Sequence, residues 1–255
     1  MFINTGWPMP EQGARIWIMG ASDGIGAALA RAYARQGARL ILSARSEDRL
    51  EALAQEIGGA EVIAADVADP LSLQAASERI AMGGPLDAAI TLAALYDPGQ
   101  VSEIDADRAA QIVGVNLMGS FHFARAAAPL LRPGGQLVLT GSVAGYIGLP
   151  QGQIYSASKA GVINLAETLR AELWPACDVR LINPGFVETR LTEMNDFEMP
   201  GLMQPDAAAE RIIRGLAGRG FEIHFPRRLT WGLKFLRALP YGIALRLTRR
   251  LVREG

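Results

Sequence analysis

Residues 16–37 read IWIMGASDGIGAALARAYARQG, and this stretch decides the fold. Its first four residues are apolar and indicate a buried strand, and three glycines follow with the spacing G-x-x-x-G-x-G. A helical pattern then runs from about Ala27 to Gln36 and stops at a glycine. Such a strand, turn and helix start form a cradle for a phosphate, because glycines allow close approach and the helix N-terminus offers free N–H groups. Taken alone, the glycines would also fit an ordinary tight turn.

The rest of the chain repeats this alternation of strands and helices, which is typical of a parallel sheet covered on both faces. No linker, internal repeat or low-complexity segment divides the 255 residues. We therefore predict an α/β fold with a doubly wound, seven-stranded parallel sheet and helices on both faces, as a single domain over residues 1–255. The predicted strands cover residues 16–19, 39–43, 61–65, 88–92, 136–141, 179–183 and 221–225.

Composition limits the location and the chemistry. No apolar run reaches the roughly 18 residues of a membrane-spanning helix, and the first residues do not resemble a secretion signal. The formal net charge is −1, and the single cysteine, Cys177, excludes an internal disulfide and favours a reducing compartment. His122 and His224 have no neighbours with metal-ligand spacing. We expect a cytoplasmic protein with no metal site and no nucleic-acid partner.

A second informative stretch is IYSASKAG, in which Tyr155 and Lys159 stand four residues apart. Positions i and i+4 share one face of a helix, so the phenol and the ammonium would act on the same spot. A phenol has a pKa of about 10 in water, and a neighbouring cation moves that pKa toward neutrality. With Ser142 in LVLTGSVAG, the pair forms an acid/base device for interconverting a carbonyl and an alcohol, provided that a hydride donor is nearby. Without the other motifs, the pair would more often be an exposed helical pair than a catalytic one.

Five motifs occur in an order and spacing that resemble the short-chain dehydrogenase/reductase family, over roughly residues 14–225. The resemblance implies a Rossmann-like fold, a nicotinamide cofactor and a homodimer or homotetramer that pairs through long helices near residues 105–131 and 152–174. The motifs are GASDGIG at 20–26, VNLMGSF with Asn116, TGSVAG with Ser142, YSASK with Tyr155 and Lys159, and NPGFVET at 183–189.

The family pattern gives each catalytic candidate a role. Tyr155 would give a proton to the carbonyl oxygen or take it from the alcohol, and Ser142 would hold that oxygen as a neutral donor. Lys159 would lower the pKa of the tyrosine and bind the nicotinamide ribose. Asn116, in a distorted helical turn, would support a water-mediated proton path to Lys159. The implied cofactor-binding residues are Gly20, Ser22, Asp23, Gly24, Ile25, Gly26, Arg45, Asp66, Val67, Ala93, Tyr155, Lys159, Pro184, Gly185, Val187 and Thr189.

Charge at the end of the second predicted strand favours NADP(H) over NAD. Relatives that prefer NAD carry an acidic residue there, whereas this chain has Ala44 followed by Arg45. A guanidinium suits a 2′-phosphate and offers nothing special to a bare hydroxyl. Asp23 argues against phosphate binding, because many NADP-dependent relatives have a basic residue near that position. The alternative is that Arg45 is an ordinary surface charge.

The chain departs from the family pattern in one coordinated place. Relatives have Asn-Asn-Ala-Gly after the fourth strand, where this chain has Thr91-Leu92-Ala93-Ala94, and threonine before the first glycine, where it has Met19. We interpret the two changes as one, in which a polar link between neighbouring strands becomes an apolar contact of Met19 with Leu92 or Ala93. Loss of both polar partners together leaves neither of them buried and unsatisfied.

The segment 186–204 occupies the place of the family's substrate lid. Its thioethers and aromatic rings suit an adaptable apolar pocket, which favours a lipid-like, acyl, terpenoid or steroid-like ketone or alcohol over a sugar. The alternative is that these side chains only pack the lid against the core. The candidate lid residues are Phe186, Met194, Phe197, Met199, Leu202 and Met203.

Residues 227–255 form a basic amphipathic extension with eight Lys/Arg and one Glu, so their net charge is +7. Four arginines fall on one predicted helix face, and apolar residues fall on another. Such a helix can lie on an anionic membrane surface as a peripheral contact. It could equally cap its own pocket or a partner subunit, with the arginines simply solvated. The four arginines are Arg246, Arg249, Arg250 and Arg253, and the apolar residues are Ala244, Leu247 and Leu251, with Trp231, Phe235 and Leu239 upstream.

Two functional classes remain open at this stage. The first is an NADP(H)-dependent carbonyl reductase or alcohol dehydrogenase with an apolar substrate. The second is a non-catalytic dinucleotide-binding sensor or scaffold on the same fold. The altered Thr91–Ala94 segment favours the second class, whereas the intact catalytic set favours the first.

Overall fold

The structure, a computed structural model, describes residues 13–194 and 199–249. Strands and helices alternate along these residues, and short 3₁₀ turns join some of them. The elements are β1 (Arg15–Met19), α1 (Gly24–Arg35), β2 (Arg39–Ser43), α2 (Glu47–Glu56), β3 (Glu61–Val62), α3 (Pro70–Ala81), β4 (Leu86–Thr91), α4 (Ala106–Val113), a π-helical turn (Gly114–Met118), α5 (Gly119–Ala127), β5 (Leu131–Thr140), α6 (Gln153–Glu172), β6 (Cys177–Pro184), α7 (Pro205–Ala217), β7 (Glu222–Phe225), α8 (Arg227–Ala238) and α9 (Tyr241–Arg249).

Within the described residues, seven strands form one parallel sheet in the order β3-β2-β1-β4-β5-β6-β7. The prediction of a doubly wound, Rossmann-like α/β fold is confirmed. The strand order reverses between β1 and β4, so the loops that leave these two strands diverge and open a crevice at their carboxyl ends. Residues from the glycine-rich turn, the segment after β4 and the start of α6 all face this crevice.

Three predicted boundaries need correction. Helix α1 begins at Gly24, earlier than expected, because the Asp23 side chain caps it by accepting the Gly24 N–H at 2.7 Å. Strand β3 has only two residues. Strand β5 starts at Leu131 rather than at residue 136 and runs through Pro133, Gly134 and Gly135, since Gly134 adopts a positive φ of 75° and the register against β4 shifts there.

Alternate residues of β1 supply two separate hydrophobic cores. Ile16 and Ile18 face the core under α1, α2 and α7, whereas Trp17 and Met19 face the core under α3, α5 and α6. Trp17 is fully buried, packs against Phe123 with ring centroids 4.7 Å apart, and donates its indole N–H to Ser43 Oγ at 2.9 Å. Both faces of the central strand are therefore fixed by packing, which sets the position of the turn that follows it.

The apolar contact proposed between β1 and β4 involves Met19 and either Leu92 or Ala93. Met19 is in register with Thr91, and its carbonyl accepts the Leu92 N–H at 2.8 Å. The Met19 side chain belongs to the same core as Ala93, whereas Leu92 packs against the core on the opposite face. Of the two partners proposed from the sequence, the structure thus favours Ala93.

A buried charged cluster ties β6 to α6 and α7. The Arg180 guanidinium is 1% exposed and donates to the carbonyls of Gly215 and Gly218 at 2.8 and 2.9 Å and to Asp178 at 3.2 Å. Asp178 also accepts from Arg170 of α6. Burial lowers the pKa of Arg180, and Asp178 opposes that effect.

The helices α8 and α9 follow β7, and each of them buries few residues. Thr230 of α8 and Ala244 and Thr248 of α9 are buried, and most other positions of these helices are exposed or half-buried. Among the described residues, no helix is long and apolar enough to cross a membrane. The remaining members of the predicted basic helix, Arg250, Leu251 and Arg253, lie outside the described residues.

We predict that Asp178→Ala lowers the free energy of unfolding by about 3–5 kcal/mol, because it leaves the buried Arg180 charge without its carboxylate. Urea denaturation followed by circular dichroism measures this loss. Glu210→Ala is the matched control, since it removes an exposed carboxylate 3.8 Å from Arg214 and is expected to cost under about 0.5 kcal/mol. Equal effects of the two substitutions would contradict the buried cluster's role.

Candidate functional site

The glycine-rich turn after β1 is shaped by contacts that leave no room for side chains. A Cβ on Gly20, whose φ is +87°, would lie 2.6 Å from the Ala93 backbone nitrogen. A Cβ on Gly26 would lie 2.0 Å from the carbonyl oxygen of Gly20. Glycine is therefore required at both positions, because the backbone of α1 packs directly on the turn and the turn packs directly on the segment after β4. The turn leaves the N-terminus of α1 open toward the crevice.

The crevice is a cavity of about 410 Å³ at the carboxyl ends of the strands. Every cofactor-binding residue implied by the sequence lines it, from the glycine-rich turn at one end to Tyr155 and Lys159 at the other. The tight turn, the N-terminus of α1 and the length of the groove fit a dinucleotide. Lining residues that the sequence did not single out as ligands include Ser46, Arg49, Leu95, Val115, Thr140, Arg190, Leu191 and Thr192.

The proton-transfer candidates meet at one end of this cavity. Tyr155 and Lys159 are in the first turns of α6, and Ser142 begins the 3₁₀ turn after β5. The Tyr155 and Ser142 side chains are hydrogen-bonded, and the Lys159 ammonium lies 5.8 Å from the centroid of the Tyr155 ring. The Lys159 ammonium donates to the Thr140 carbonyl at 2.9 Å and is almost fully buried.

Burial changes both pKa values in this group. It raises the pKa of Tyr155, an effect that the hydrogen bond with Ser142 opposes. It also lowers the pKa of Lys159 to about 8. The sequence predicted a depressed tyrosine pKa, but in the protein by itself desolvation of the phenolate is the largest influence and raises that pKa. Tyr155 is therefore protonated at neutral pH.

Asn116 lies in the π-helical turn, as expected of a distorted helix, but it does not line the cavity. Its amide exchanges two hydrogen bonds with the backbone of Leu95, accepting at 2.8 Å and donating at 2.9 Å, and also donates to Ser158 Oγ at 3.0 Å. Asn116 thus fixes the segment after β4 to α6. That segment presents Tyr96, whose ring meets the Tyr155 ring edge-on at 4.8 Å between centroids.

Arginines surround the other end of the cavity, beyond β2. Arg45 and Arg49 line it and are exposed, and Arg190 reaches it from the segment after β6. Asp23 forms ion pairs with Arg190 at 3.0 Å and with Arg49 at 3.7 Å. The acidic residue that argued against phosphate binding is therefore neutralised by two guanidiniums. Neither arginine has a distinctive sequence signal, because their approach to Asp23 depends on the packing of three separate segments.

The lid candidates lie elsewhere than expected. The described residues that line the cavity do not include Phe186, Met194, Met199, Leu202 or Met203. Met203 packs against the core under α1 and pairs with Val187, whereas Met194 and Leu202 are more than 40% exposed. Phe197 lies outside the described residues. Instead, the lining from this part of the chain comes from residues 187 and 189–192.

The two histidines lie away from this set. Neither His122 nor His224 lines the cavity, and the His224 imidazole is hydrogen-bonded to Thr230 Oγ1 at 2.7 Å. Among the described residues, no group of three or more histidine, cysteine or acidic side chains is placed to hold a metal ion. Cys177 is free and buried at the start of β6.

Comparison with known proteins gives consistent results. The family model described as short chain dehydrogenase matches residues 14–199. An uncharacterized oxidoreductase of Myxococcus xanthus is 33% identical over 92% of this chain and 96% of its own length. The 11-beta-hydroxysteroid dehydrogenase 1A of Arabidopsis thaliana is 34% identical over 74% of this chain, and the match spans 56% of that longer protein.

Solved structures agree with the sequence relatives. An alcohol dehydrogenase from Thermococcus sibiricus, complexed with 5-hydroxy-NADP, has a TM-score of 0.78 and 29% identity, over 83% of this chain and 95% of that one. A short chain dehydrogenase from Burkholderia cenocepacia in complex with NADP has a TM-score of 0.74 and 26% identity, over 85% and 96% of the two chains. With this fold, the motif set and the family match, the chain belongs to the short-chain dehydrogenase/reductase family and is an NAD(P)-dependent dehydrogenase or reductase.

Proposed function

We propose that this protein is an NADP(H)-dependent oxidoreductase that interconverts a ketone and a secondary alcohol on an apolar substrate. One observation carries the proposal. Tyr155, which is hydrogen-bonded to Ser142 and lies next to the buried Lys159, lines one end of the cavity, and the glycine-rich turn lines the other end. A proton donor and a dinucleotide cradle therefore share one groove. When bound, NADP(H) supplies or accepts the hydride.

The chain's own residues handle the proton and the oxygen. In reduction, the Tyr155 hydroxyl gives its proton to the carbonyl oxygen while the Ser142 hydroxyl donates a hydrogen bond to the same oxygen. The raised pKa of Tyr155 suits this direction, because the phenol holds its proton until the developing alkoxide draws it. Lys159 stabilises the resulting phenolate, and in oxidation the same atoms act in reverse.

Other residues would hold the cofactor and the substrate-facing segment. Lys159 would bind the nicotinamide ribose, and Asp66, whose Oδ1 accepts the Ala68 N–H at 2.9 Å, would face the adenine. We propose that Asn116 acts as a positioning residue for the segment after β4, since its amide is committed to Leu95 and Ser158. Pro184, Gly185, Val187 and Thr189 would close over the carboxamide.

The choice of NADP(H) rests on the arginine-rich end of the cavity. Arg45 and Arg49 present guanidiniums beyond β2, and no carboxylate follows that strand in the position that would repel a 2′-phosphate. The Thermococcus and Burkholderia structures, which hold 5-hydroxy-NADP and NADP, support the same choice. NAD remains the weaker candidate.

An apolar, steroid-like ketone or alcohol is the substrate class that the surroundings of Tyr155 support. The Tyr96 ring and Leu95 flank the catalytic end of the cavity. Several plant relatives are named 11-beta-hydroxysteroid dehydrogenases, at 33–35% identity. We retain residues 186–204 as a substrate lid that would bring its methionines over the substrate on closure.

We further propose a cytoplasmic homo-oligomer, dimer or tetramer. The single cysteine is buried and reduced, which fits a reducing compartment. Met118 and Phe121, on the helical stretch that would pair, are 43% and 42% exposed in the single chain. Apolar side chains of this size on a helix surface suit a subunit interface.

A non-catalytic sensor on the same fold is the second candidate, and the Thr91–Ala94 segment favours it. This segment lines the groove with Leu92, Ala93 and Ala94, and it has Thr91 and Leu92 where the family has two asparagines. A sensor would bind NADPH but turn over no ketone. Activity that depends on Tyr155 separates the two functions.

We predict that Tyr155→Phe lowers the rate of NADPH oxidation on a panel of apolar ketones by about 100-fold to 10,000-fold, because the proton donor is lost. NADPH fluorescence titration should give an unchanged dissociation constant. Tyr241→Phe, which alters an exposed tyrosine far from the cavity lining, is the control and should retain full turnover. Equal rates for wild type and Tyr155→Phe would remove Tyr155 from the mechanism, and binding without any turnover by wild type would favour the sensor.

We predict that Arg45→Glu weakens NADPH binding about 100-fold and NADH binding less than about threefold, because a carboxylate would face the 2′-phosphate. Fluorescence titration with each nucleotide measures both constants. Arg211→Glu on α7 makes the same charge change at an exposed position away from the cavity lining and should leave the ratio unchanged. If both nucleotides lose affinity equally, Arg45 has no part in cofactor choice.

We predict that Lys159→Met stabilises the protein without cofactor by about 2 kcal/mol near pH 7 and that this gain disappears as the pH rises toward 10. The folded-state pKa of about 8 lies below the ordinary value of 10.5, so the unfolded chain binds this proton more tightly. Wild-type stability from this group therefore rises between about pH 8 and pH 10.5. Urea denaturation of both proteins across this range measures the difference in the free energy of unfolding. A gain in stability that does not change with pH would contradict a desolvated ammonium at Lys159.

A further inference from the structure

The helices α8 and α9 carry an unusual amount of exposed apolar surface. Large apolar side chains that face solvent are spread over both helices, in contrast to the buried strip formed by Thr230, Ala244 and Thr248. Large exposed apolar side chains concentrated in two consecutive helices indicate a binding surface. They are Trp231 (61% exposed), Phe235 (67%), Tyr241 (67%), Ile243 (50%), Leu245 (54%) and Leu247 (39%). On α9, Tyr241 with Leu245 and Ile243 with Leu247 lie on opposite sides of the buried strip. We call the whole set the apolar face.

Basic side chains accompany the apolar face along its whole length. Residues 227–249 contain six basic side chains and no acidic one. Within the described part of the chain, Lys234 is the member that pairs with a carboxylate, that of Glu222, while no such ion pair is formed by the arginines. Those arginines, all exposed, are Arg227, Arg228, Arg237, Arg246 and Arg249.

The excess of positive charge indicates which partner binds the apolar face. A second copy docked face to face would bring together two surfaces that each carry six basic and no acidic side chains over residues 227–249, and these surfaces would repel each other. An anionic bilayer satisfies both features, because its headgroups pair with the guanidiniums and its acyl region takes the aromatic and aliphatic side chains. Exposed apolar and basic side chains occur together on both helices, which suits an interfacial contact. We propose that α8 and α9 dock this protein on anionic lipid membranes.

The position of the surface adds a consequence for the active site. Helix α8 begins directly after β7, and Leu229 Cδ2 would lie 3.1 Å from a Cβ built on Gly185, a residue of the cavity lining. The first turn of α8, which precedes Trp231, therefore lies beside the cavity lining. An apolar substrate dissolved in the bilayer would have a short path to Tyr155. The docking itself does not depend on the proposed reaction, so its test needs no substrate.

The test is co-sedimentation of the full chain with vesicles of phosphatidylcholine containing about 30 mol% phosphatidylglycerol, compared with pure phosphatidylcholine. We expect binding to the anionic vesicles at about 0.05 M salt and at least a tenfold loss at about 0.5 M salt, because the Debye length falls from more than 10 Å toward 4 Å. Absence of binding to anionic vesicles at low salt would overturn the proposal. Equal binding to both vesicle types would overturn the part assigned to the arginines.

Paired variants locate the surface. Trp231→Ala with Phe235→Ala should weaken vesicle binding more than tenfold, whereas Leu71→Ala with Met82→Ala, which removes side chains 73% and 82% exposed elsewhere, should not change it. Arg246→Gln with Arg249→Gln should weaken binding about 25-fold, since each basic residue contributes about fivefold. Arg35→Gln with Arg211→Gln is the matched charge control and should leave binding intact. Equal losses in test and control pairs would contradict the assignment.

A second readout guards against unfolding of the variants. Brominated lipids quench a tryptophan that enters the bilayer, so wild-type fluorescence should fall on binding and Trp231→Phe, which keeps an aromatic side chain, should lose that quenching while still sedimenting. Quenching that persists in Trp231→Phe would place another tryptophan at the membrane and reject this face.

Size-exclusion chromatography tests the competing occupant. If the protein is an oligomer and Trp231→Ala with Phe235→Ala converts it to monomers, a second copy of the chain covers the surface.

Discussion

Direct contact between backbones at the end of β1 is the constraint on which the site depends. The turn at Gly20 lies against the nitrogen of Ala93, and the start of α1 at Gly26 lies against the carbonyl of Gly20, with no space for a Cβ at either glycine. These contacts hold the N-terminus of α1, the end of β1 and the segment after β4 in one fixed arrangement. The groove for a dinucleotide is thus a consequence of backbone packing, and the side chains around it select what it binds.

At the other end of the groove, burial governs the chemistry. The Lys159 ammonium is almost fully buried and donates a hydrogen bond to the carbonyl of Thr140 at the end of β5. The cost of desolvation lowers the pKa of Lys159 and raises that of Tyr155, so the two groups remain chemically responsive to a new charge beside them. The protein thus gives up local stability for an ammonium at the position to which the proposed mechanism assigns phenolate stabilisation. Asn116 completes the arrangement at a distance, by fixing the segment that carries Tyr96 against α6.

Much of this was predictable because the strongest sequence signals are local. The glycine spacing, the Tyr155–Lys159 interval and the alternation of strands and helices depend on neighbours in the chain, and they predicted the fold class and the residues that line the groove. Boundaries were less accurate where a long-range contact decides them, as for β5, which passes through Gly134 because β4 and β6 pair with it. Of the lid candidates, Met203 packs on the core under α1 instead of lining the cavity, and Met194 and Leu202 face solvent. The sequence pattern does not reveal which of these positions is covered.

The sequence by itself determined the α/β class, the family and the set of groups able to move a proton, because short motifs with fixed spacing indicate each of them. Only the tertiary structure determined which charged side chains form ion pairs. Asp23, which as a lone carboxylate argued against a phosphate, is matched by Arg49 and Arg190 from two other segments. Likewise, only packing decided that Thr230, Ala244 and Thr248 face the protein while Trp231 and Phe235 face outward. Electrostatic and apolar surfaces arise from residues far apart in the chain, and their neighbours are set by the fold.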